Sequence, residues 1–509
     1  MHTPCFQIGP FEQSSCVRNR LRLTTVRLSL TIFLLCLLLT ACGESLKSQS
    51  GAAPSPTARS LPSPGGVLPT PSAPQIKAPS ITDNNLNLTV SGDVTYVGTA
   101  NQGLFALRRS NGSLLWHTGL EGGIGELPVV DNQIVFVSAY SGQVGPGTLA
   151  ALSAENGAIL WKYRSNNYIS GPIVQNGVAY TSIQNEGLLA FRVSDGKLLW
   201  KFSNLNAQVP LLSNGVLYMF SSSDGLYALR ASDGKLLWHT AETFNSSAFI
   251  IQSGVIYAFS ENEAYALRAR DGHQLWSNPL DSTFSLNPVL SDGVLYILAT
   301  KVLLEGFTPT PTVIPSPSPA SRVPGQVMQP LSFQASLQKS VPGVPARQTT
   351  YLKEGKSSVF ALRASDGKLL WQDLLGQGKD SFASSLYVAS NSLYVALSSG
   401  TASSISELRK DDGSVIWQRT VNGSVMGTYV KDGRLYSCVD FQGRSAVYAL
   451  NPLDGSLNWI YAIDGDTYSG LVLGSDALYT VSNNGIAYAL RRTNGTLIWH
   501  YQTEGGKNA

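Results

Sequence analysis

One short phrase, repeated nine times and always ending in tryptophan, constrains the fold of this 509-residue chain. The clearest copy runs from Tyr227 to Trp238 and reads Tyr-Ala-Leu-Arg-Ala-Ser-Asp-Gly-Lys-Leu-Leu-Trp. Asp or Asn stands five residues before each tryptophan and Gly stands four before it, without exception. Such a dipeptide between two apolar runs predicts a β-hairpin turn, because both residues tolerate positive φ. The chain therefore consists largely of repeated hairpins.

The tryptophans and turn glycines of these copies are the candidate structural site of the chain. Ala stands ten residues before the tryptophan in eight copies, and Glu407 takes that place in the remaining one. The tryptophans are Trp116, Trp161, Trp200, Trp238, Trp276, Trp371, Trp417, Trp459 and Trp499. The turn glycines are Gly112, Gly157, Gly196, Gly234, Gly272, Gly367, Gly413, Gly455 and Gly495.

Each copy belongs to a longer unit of about 38 to 46 residues. Roughly twenty residues before the tryptophan, a second apolar run carries a tyrosine, or in one copy Phe136, and a third apolar run usually precedes that one. The unit thus contains four short strands, A to D, with no helical periodicity, which is the pattern of a propeller blade. The predicted fold class is all-β, a β-propeller of four-stranded antiparallel blades.

The phrase resembles the tryptophan-docking motif of the pyrroloquinoline-quinone-type (PQQ-like) propeller family, Ala-x-Asp-x-x-x-Gly-Lys-x-x-Trp. Ala228, Gly234, Lys235 and Trp238 match it position by position, and the resemblance covers almost all of residues 85 to 503. It implies that each tryptophan packs against the neighbouring blade and that these contacts form a girdle. Propellers of this family usually have eight blades, whereas the motif count here favours nine, so both numbers stay open.

This chain departs from the family motif where arginine replaces its aspartate. We expect these arginines to lie on a solvated rim and to pair with nearby turn aspartates rather than to form a ligand site. They are Arg108, Arg192, Arg230, Arg268, Arg363, Arg409 and Arg491.

One spacing in the repeat series is anomalous. The distance from the aromatic residue to the tryptophan is 19 to 25 residues in eight copies but 75 from Tyr296 to Trp371. The excess, residues 305–357, is rich in Pro, Ser and Thr, which predicts a disordered insertion in the B-C loop of the sixth repeat. A shorter extension, residues 141–147, falls in the same loop of the second repeat. B-C loops emerge opposite the Asp-Gly turns, so we predict that partners engage this B-C loop face.

The N-terminal region predicts export and lipidation. Arginines precede an apolar run at residues 28–39 that is shorter than a membrane-spanning helix, and residues 1–41 are therefore assigned to a signal peptide. Leu39-Thr-Ala-Cys42 resembles the lipobox of bacterial lipoproteins, in which the cysteine is acylated. Residues 42–80 are predicted to be a Pro/Ser/Thr-rich disordered tether and 81–503 the propeller. The expected location is extracytoplasmic, with the lipid anchor at Cys42 in a bacterial membrane or cell surface.

Charge, cysteine and histidine content narrow the possible chemistry. The 36 basic and 33 acidic side chains leave a net charge of +3, which argues against a nucleic-acid partner. Cys438 is the one cysteine beyond Cys42, so no intrachain disulfide is expected. His117, His239 and His500 each follow a repeat tryptophan, a periodicity that favours a structural role over metal binding. We identify no catalytic residue and no metal site.

Two functions from different classes are compatible with the sequence. The resemblance implies, as one possibility, a PQQ-dependent quinoprotein oxidoreductase that acts on alcohols or sugars with calcium. The enzymes of that kind share a vicinal cysteine pair and a tryptophan under the quinone. Cys438 cannot supply the pair, and all nine tryptophans occupy docking positions. A propeller with a lipobox also resembles the lipoprotein of outer-membrane β-barrel assembly. The favoured prediction is therefore a non-catalytic, cofactor-free platform that binds membrane or extracytoplasmic proteins or other ligands.

Overall fold

The computed structural model describes residues 66–71, 87–141, 145–203, 210–221, 224–241, 249–260, 262–280, 284–285, 288–304, 352–378, 381–389, 391–399, 402–467 and 470–503. Every regular element within these ranges is a β-strand, and the strands form nine sheets. The predicted all-β propeller is confirmed, and the number of blades is nine.

Strands A to D of each blade follow one another in chain order and pair antiparallel from the inside outward. The first strand, β1 (Gly66–Val67), precedes the blades. Blade 1 contains β2 (Asn87–Ser91), β3 (Val94–Gly98), β4 (Leu104–Arg108) and β5 (Leu114–Thr118). Blade 2 contains β6 (Gly123–Ile124) and β7 (Val129–Asp131), which together form strand A, then β8 (Ile134–Tyr140), β9 (Gly147–Ser153) and β10 (Ile159–Ser165). Blade 3 contains β11 (Ile173–Gln175), β12 (Val178–Ile183), β13 (Gly187–Arg192) and β14 (Leu198–Phe202).

The middle three blades include the one with the long insertion. Blade 4 contains β15 (Leu211–Ser213), β16 (Val216–Ser221), β17 (Gly225–Arg230) and β18 (Leu236–Thr240). Blade 5 contains β19 (Ile250–Gln252), β20 (Val255–Phe259), β21 (Glu263–Arg268) and β22 (Gln274–Pro279). Blade 6 contains β23 (Phe284–Ser285) and β24 (Val289–Ser291) as strand A, then β25 (Val294–Leu304), β26 (Leu352–Arg363) and β27 (Leu369–Gly378).

The last three blades complete the ring. Blade 7 contains β28 (Ser381–Ala389), β29 (Ser392–Ser399), β30 (Ala402–Arg409) and β31 (Val415–Asn422). Blade 8 contains β32 (Ser424–Lys431), β33 (Arg434–Asp440), β34 (Arg444–Leu450) and β35 (Leu457–Asp464). Blade 9 contains β36 (Val472–Leu473), β37 (Ala477–Val481), β38 (Ile486–Arg491) and β39 (Leu497–Gln502).

The core lies between blades rather than within them. Strands B and C are buried on both faces, as the fully covered run after Val216 in β16 shows. Most hydrophobic clusters combine two neighbouring sheets; one joins Leu88 of blade 1 to Tyr479 of blade 9. Because a single sheet would leave both apolar faces in water, each blade depends on its two neighbours for stability.

Each outer strand carries a β-bulge directly before its tryptophan. In blade 4, Trp238 pairs with Ala228 and Leu236 pairs with Leu229, so Leu237 is the extra residue. A bulge of this kind bends the strand and redirects the side chains that follow it. Leu236 and Leu237 both face solvent as a result, while Trp238 turns towards the next blade.

Ring closure decides between eight and nine blades. Trp499 of blade 9 donates its indole N–H to the carbonyl of Arg109 in blade 1 at 2.7 Å. The ring of Trp499 also lies against Gly112, as every other repeat tryptophan lies against the glycine of the blade that follows it. The last blade therefore docks on the first in the same way as any other pair. The closure uses side chains and shares no strand, since blade 1 comes wholly from the N-terminal part and blade 9 from the C-terminal part.

Two predicted disordered segments need correction. Residues 66–71 of the tether are ordered on blade 7, where β1 runs parallel to the edge strand β31. Likewise, β26 begins at Leu352, inside the predicted insertion, because it pairs antiparallel with β25 as far as Leu304. Both segments look too polar or too rich in proline for strands, and each is ordered by an edge or partner strand distant in sequence. Cys42, the signal peptide and residues 305–351 lie outside the described residues.

Candidate interaction surfaces

The repeat tryptophans occupy equivalent positions at the nine blade junctions. Trp238 donates its indole N–H to the carbonyl of Ala269 in the next blade at 2.9 Å, and the Tyr218 hydroxyl donates to the same oxygen at 3.1 Å. The ring lies so close to Gly272 that a Cβ there would come within 2.7 Å of it. One buried carbonyl thus accepts two side-chain donors from the preceding blade, which fixes the two sheets in register.

The same contact recurs at every junction of the ring. The indole N–H groups donate from Trp116 to Ala154, Trp161 to Val193, Trp200 to Ala231, Trp238 to Ala269, Trp276 to Ala364, Trp371 to Lys410, Trp417 to Pro452, Trp459 to Arg492 and Trp499 to Arg109. The glycines of the Asp-Gly and Asn-Gly turns all have positive φ. These turns form one face of the ring, which we call the turn face.

Exposed ion pairs cover the turn face. Four of the motif arginines pair with the aspartate three residues later, at 2.9 to 3.4 Å: Arg192 with Asp195, Arg230 with Asp233, Arg268 with Asp271 and Arg363 with Asp366. Exposed pairs of this kind contribute little free energy. Four of the seven motif arginines therefore pair with turn aspartates as expected.

The opposite face, which we call the loop face, carries a polar cavity of about 450 Å³ between blades 2 and 3. Its walls come from the B-C loops of these blades and from the segments that connect blade 1 to 2 and blade 2 to 3. Arg164 pairs with Glu121 across its rim at 2.7 Å. On the far side Glu186 accepts a hydrogen bond from the Ser165 hydroxyl and binds the Lys201 ammonium at 2.9 Å. Burial alone would raise the pKa of Glu186, but these donors outweigh it and lower the pKa.

A buried acid–tyrosine contact lies beside this cavity. Tyr168 donates to Glu126 at 2.6 Å, and the ring of Tyr140 meets Tyr168 edge to face at 5.0 Å. Burial, followed by the Glu126 carboxylate, raises the pKa of Tyr168 well above its usual range, so its proton stays in place as a donor. Glu126 lies between the two parts of strand A in blade 2, and Tyr168 lies in the connection from blade 2 to blade 3, so the contact ties that connection to blade 2.

Acidic residues meet on the loop face at the junction of blades 8 and 9. Asp466 accepts from the backbone of Gly443 and from the amide of Asn483, and Asp440 lies beside it at the end of β33. Burial and the neighbouring Asp466 raise the pKa of Asp440 to about 7. Nowhere in the described part of the chain do three or more His, Cys, Asp or Glu side chains come together in a way that could hold a metal ion.

Comparison with known proteins identifies the family. The family model described as "Outer membrane protein assembly factor BamB" matches residues 82–201, 184–306 and 355–509, which is more than half of the chain. The chain belongs to the BamB family. The expected membership of the PQQ-like propellers is thereby confirmed.

Individual relatives are distant. The assembly factor BamB of Legionella pneumophila (strain Paris) is 27% identical over 127 residues, which is 23% of this chain and 32% of that protein. The BamB of Yersinia pestis is 28% identical over 120 residues, which is 22% of this chain and 29% of that protein. The matched stretches thus span less than a third of either relative.

Two solved propeller structures are still less similar in sequence. BamB from Moraxella catarrhalis has a TM-score of 0.46 and 14% identity, covering 71% of this chain and 94% of its own. The quinohemoprotein alcohol dehydrogenase of Comamonas testosteroni has a TM-score of 0.45 and 13% identity, covering 77% of each chain. Both likenesses concern the fold.

The cysteine and the histidines considered in the sequence of this BamB-family chain pack against neighbouring side chains. Cys438 is fully buried with its sulfur 2.7 Å from the Thr467 hydroxyl, and burial raises the pKa of its thiol to about 12. His117 stacks on Phe105 at 4.1 Å, and His239 stacks on Tyr227 in the same way. Within the described residues no helix has the length and hydrophobicity to span a membrane.

Proposed function

We propose that the chain is a lipid-anchored, extracytoplasmic binding platform whose loop face engages partner proteins. The observation that carries this proposal is the polar cavity between blades 2 and 3. Its three charged side chains come from the connection between blades 1 and 2 (Glu121), the end of β10 (Arg164) and the B-C loop of blade 3 (Glu186), and the docking girdle holds these segments in fixed relative positions. A rigid ring that presents converging loops on one face is a common arrangement for binding sites.

The chemistry of the cavity suits a polar segment of a partner. Arg164 and Glu121 are both more than half exposed, so their ion pair is worth little and either group can exchange it for a partner's charge. Glu186 is more enclosed and stays charged through its donors, which provides a fixed acceptor. Such a site recognises hydrogen-bond donors and charged side chains rather than a large apolar surface.

The names of the relatives suggest the class of partner. They are described as outer membrane protein assembly factors, and by extension the partners of this chain are proteins of that assembly process. Acylation of Cys42 would hold the propeller close to them. The Pro-rich insertion at 305–351 enters between two strands that reach the same face, which would enlarge the surface available for binding.

Two observations favour a platform over the alternative of a quinone-dependent oxidoreductase. All nine tryptophans are engaged in inter-blade contacts, so none is left to stack on a quinone. Cys438 is buried and has no adjacent cysteine. Titration with pyrroloquinoline quinone and calcium, followed by dye reduction with alcohols and sugars, tests the alternative. Stoichiometric binding with turnover would replace the platform proposal.

A matched pair of charge reversals tests the loop face. Arg164→Glu alters the cavity, whereas Arg192→Glu alters a similarly exposed arginine on the turn face of the next blade. Each protein is cross-linked in membranes and purified under denaturing conditions, and captured proteins are identified by mass spectrometry. We expect Arg164→Glu and deletion of residues 307–350 to remove specific partners that Arg192→Glu retains. Capture of the same partners by all variants would refute the role of the loop face.

The anchor is tested separately. Cys42→Ser should release the protein from the membrane fraction and abolish incorporation of radiolabelled fatty acid. If Cys42→Ser remains membrane-bound and labelled, the chain is not anchored at this residue.

A further inference from the structure

The junction of blades 7 and 8 carries a groove at the rim of the ring that is filled by a segment from another part of the chain. Residues 66–71, Gly-Val-Leu-Pro-Thr-Pro, lie along the outer strand of blade 7. Gly66 and Val67 pair with Arg419 and Thr420 in a parallel ladder, and the Leu68 amide donates to the Thr420 carbonyl at 2.7 Å. In the described part of the chain, no other blade has a strand added to its outer edge.

The groove buries one side chain of this segment and leaves the preceding one exposed to solvent. Val67 is 65% exposed, whereas Leu68 is 5% exposed and enters the hydrophobic cluster shared by blades 7 and 8. Tyr448 of blade 8 donates its hydroxyl to the carbonyl of Pro69 at 2.9 Å. Main-chain pairing of this kind accepts many sequences, so specificity comes from the leucine pocket and from the tyrosine donor.

The side chain of Arg419 links the two blades that form the groove. The Arg419 side chain is 8% exposed and donates to the carbonyl of Asp454 in blade 8 at 2.6 Å. A Cβ on Gly66 would lie 3.9 Å from the side chain of Arg419, so a small residue fits there in ordinary contact. The groove is therefore built by both blades, directly beside the Trp417–Gly455 docking contact.

We propose that this groove is a peptide-binding site for an extended segment of a partner protein with the order small residue, solvent-facing residue, leucine, in which the carbonyl after the leucine accepts from Tyr448. The chain's own residues 66–71 display the chemistry that the groove accepts and occupy it as an internal competitor. The inference deepens the proposed platform function and rests on it, since it names one site and the class of segment that the site takes.

The internal segment is suited to exchange. Leu68 and Pro71 are its two buried residues, and Val67–Leu68 is the only pair of adjacent large apolar residues between 43 and 80. The sequences on either side are rich in Pro, Ser and Thr and offer little further apolar surface to hold it. A partner segment then competes by mass action, and its apparent affinity falls with the fraction of grooves that the internal segment fills.

Binding of a fluorescein-labelled peptide of residues 62–73 to the full chain, measured by anisotropy, tests the proposal. Leu68→Asp places a charge in the buried leucine pocket and should displace the chain's own segment from the groove. We expect it to bind the peptide at least tenfold more tightly than the unmodified chain. Val67→Asp is the matched control, because its side chain faces solvent and leaves the groove filled. A peptide with aspartate at the leucine position should not bind either protein.

A further measurement keeps the test decisive if Leu68→Asp is unstable. A photoreactive leucine analogue at the Leu68 position of the peptide should then cross-link the unmodified chain to blades 7 and 8, because that side chain is the one that enters the groove. Equal binding to the Leu68→Asp and Val67→Asp proteins, or cross-links on other blades, would overturn the proposal. Concentration-dependent dimers abolished by Leu68→Asp would instead assign the groove to a second copy. If all loop-face variants capture the same partners while the peptide binds the groove as expected, only the proposed loop-face function is refuted.

Discussion

Adding one methyl group at a turn glycine that contacts a tryptophan should separate the contribution of inter-blade docking to stability from that of the turn conformation itself. Gly234 and Gly215 both lie in blade 4 and have φ values of +68° and +74°. A Cβ at Gly234 would come within 2.5 Å of the Trp200 ring, whereas a Cβ at Gly215 would meet no heavy atom within 4 Å. Gly234→Ala and Gly215→Ala therefore impose the same backbone strain, and one of them also displaces a docked tryptophan.

The expected magnitudes follow from these distances. An alanine in the left-handed region costs about 1–2 kcal/mol, and its smaller unfolded-state entropy returns about 0.4–1 kcal/mol. Gly215→Ala should thus lower the free energy of unfolding by about 1 kcal/mol. At Gly234, overpacking adds about 1–3 kcal/mol, and a shift of Trp200 weakens its 3.0 Å bond to the Ala231 carbonyl, worth about 1 kcal/mol. The expected total for Gly234→Ala is about 3–5 kcal/mol.

Equilibrium unfolding in urea, followed by circular dichroism in the β-sheet region, measures both losses. The same pair exists at the ring closure, where Gly112 faces Trp499 and Gly92 faces open space, so Gly112→Ala and Gly92→Ala report whether closure is as strong as an ordinary junction. Equal losses for Gly234→Ala and Gly215→Ala would refute the reasoning, because they would show that the tryptophan contact contributes nothing beyond the turn.

Three further perturbations test individual contacts. Arg109→Ala removes the pairing of blade 1 with Asp476 in blade 9 and should lower the free energy of unfolding by about 1–2 kcal/mol. The exposed neighbour change Arg108→Ala should alter it by less than about 0.5 kcal/mol; equal effects would contradict a closing role. Because the pKa of Asp440 is raised, its contribution to stability is present at acidic pH and lost as the pH rises through about 7. Asp440→Asn should flatten the pH dependence of the urea midpoint between about pH 4 and 7, and an unchanged slope would contradict this. Glu407 is buried, and one of its carboxylate oxygens accepts hydrogen bonds from the hydroxyls of Ser392 and Tyr394, so Glu407→Ala should lower the free energy of unfolding by about 1–3 kcal/mol; an unchanged midpoint would show that these contacts contribute nothing.

The blades themselves were predictable because their signals are local. The Asp-Gly and Asn-Gly turns, the preceding Ala-Leu pair and the tryptophan lie within a dozen residues, and each hairpin forms from neighbouring segments. The positive φ of glycines such as Gly234 follows directly from that pattern. The antiparallel order of the four strands also follows, since short connections join adjacent strands.

Other features depend on residues that are far apart in sequence. The cavity on the loop face needs Glu121, Arg164 and Glu186 from different blades, and no spacing in the chain predicts that they converge. The acid pair Asp440 and Asp466 is equally hidden, because Asp440 ends β33 whereas Asp466 lies in the connection between blades 8 and 9. The sequence indicated only that the B-C loops share one face of the ring, which is the face that carries both sites.

The sequence by itself determined the family, the blade and the position of the inserted segment, because repeated short-range patterns encode each hairpin independently of the rest. The tertiary structure decided that the ring has nine blades, since closure depends on Trp499 meeting a turn almost four hundred residues earlier. It also decided that residues 66–71 are ordered, because the edge that pairs with them lies in blade 7. A Pro-rich segment with a single buried leucine acquires its conformation from that edge and from Tyr448, and has none of its own to predict.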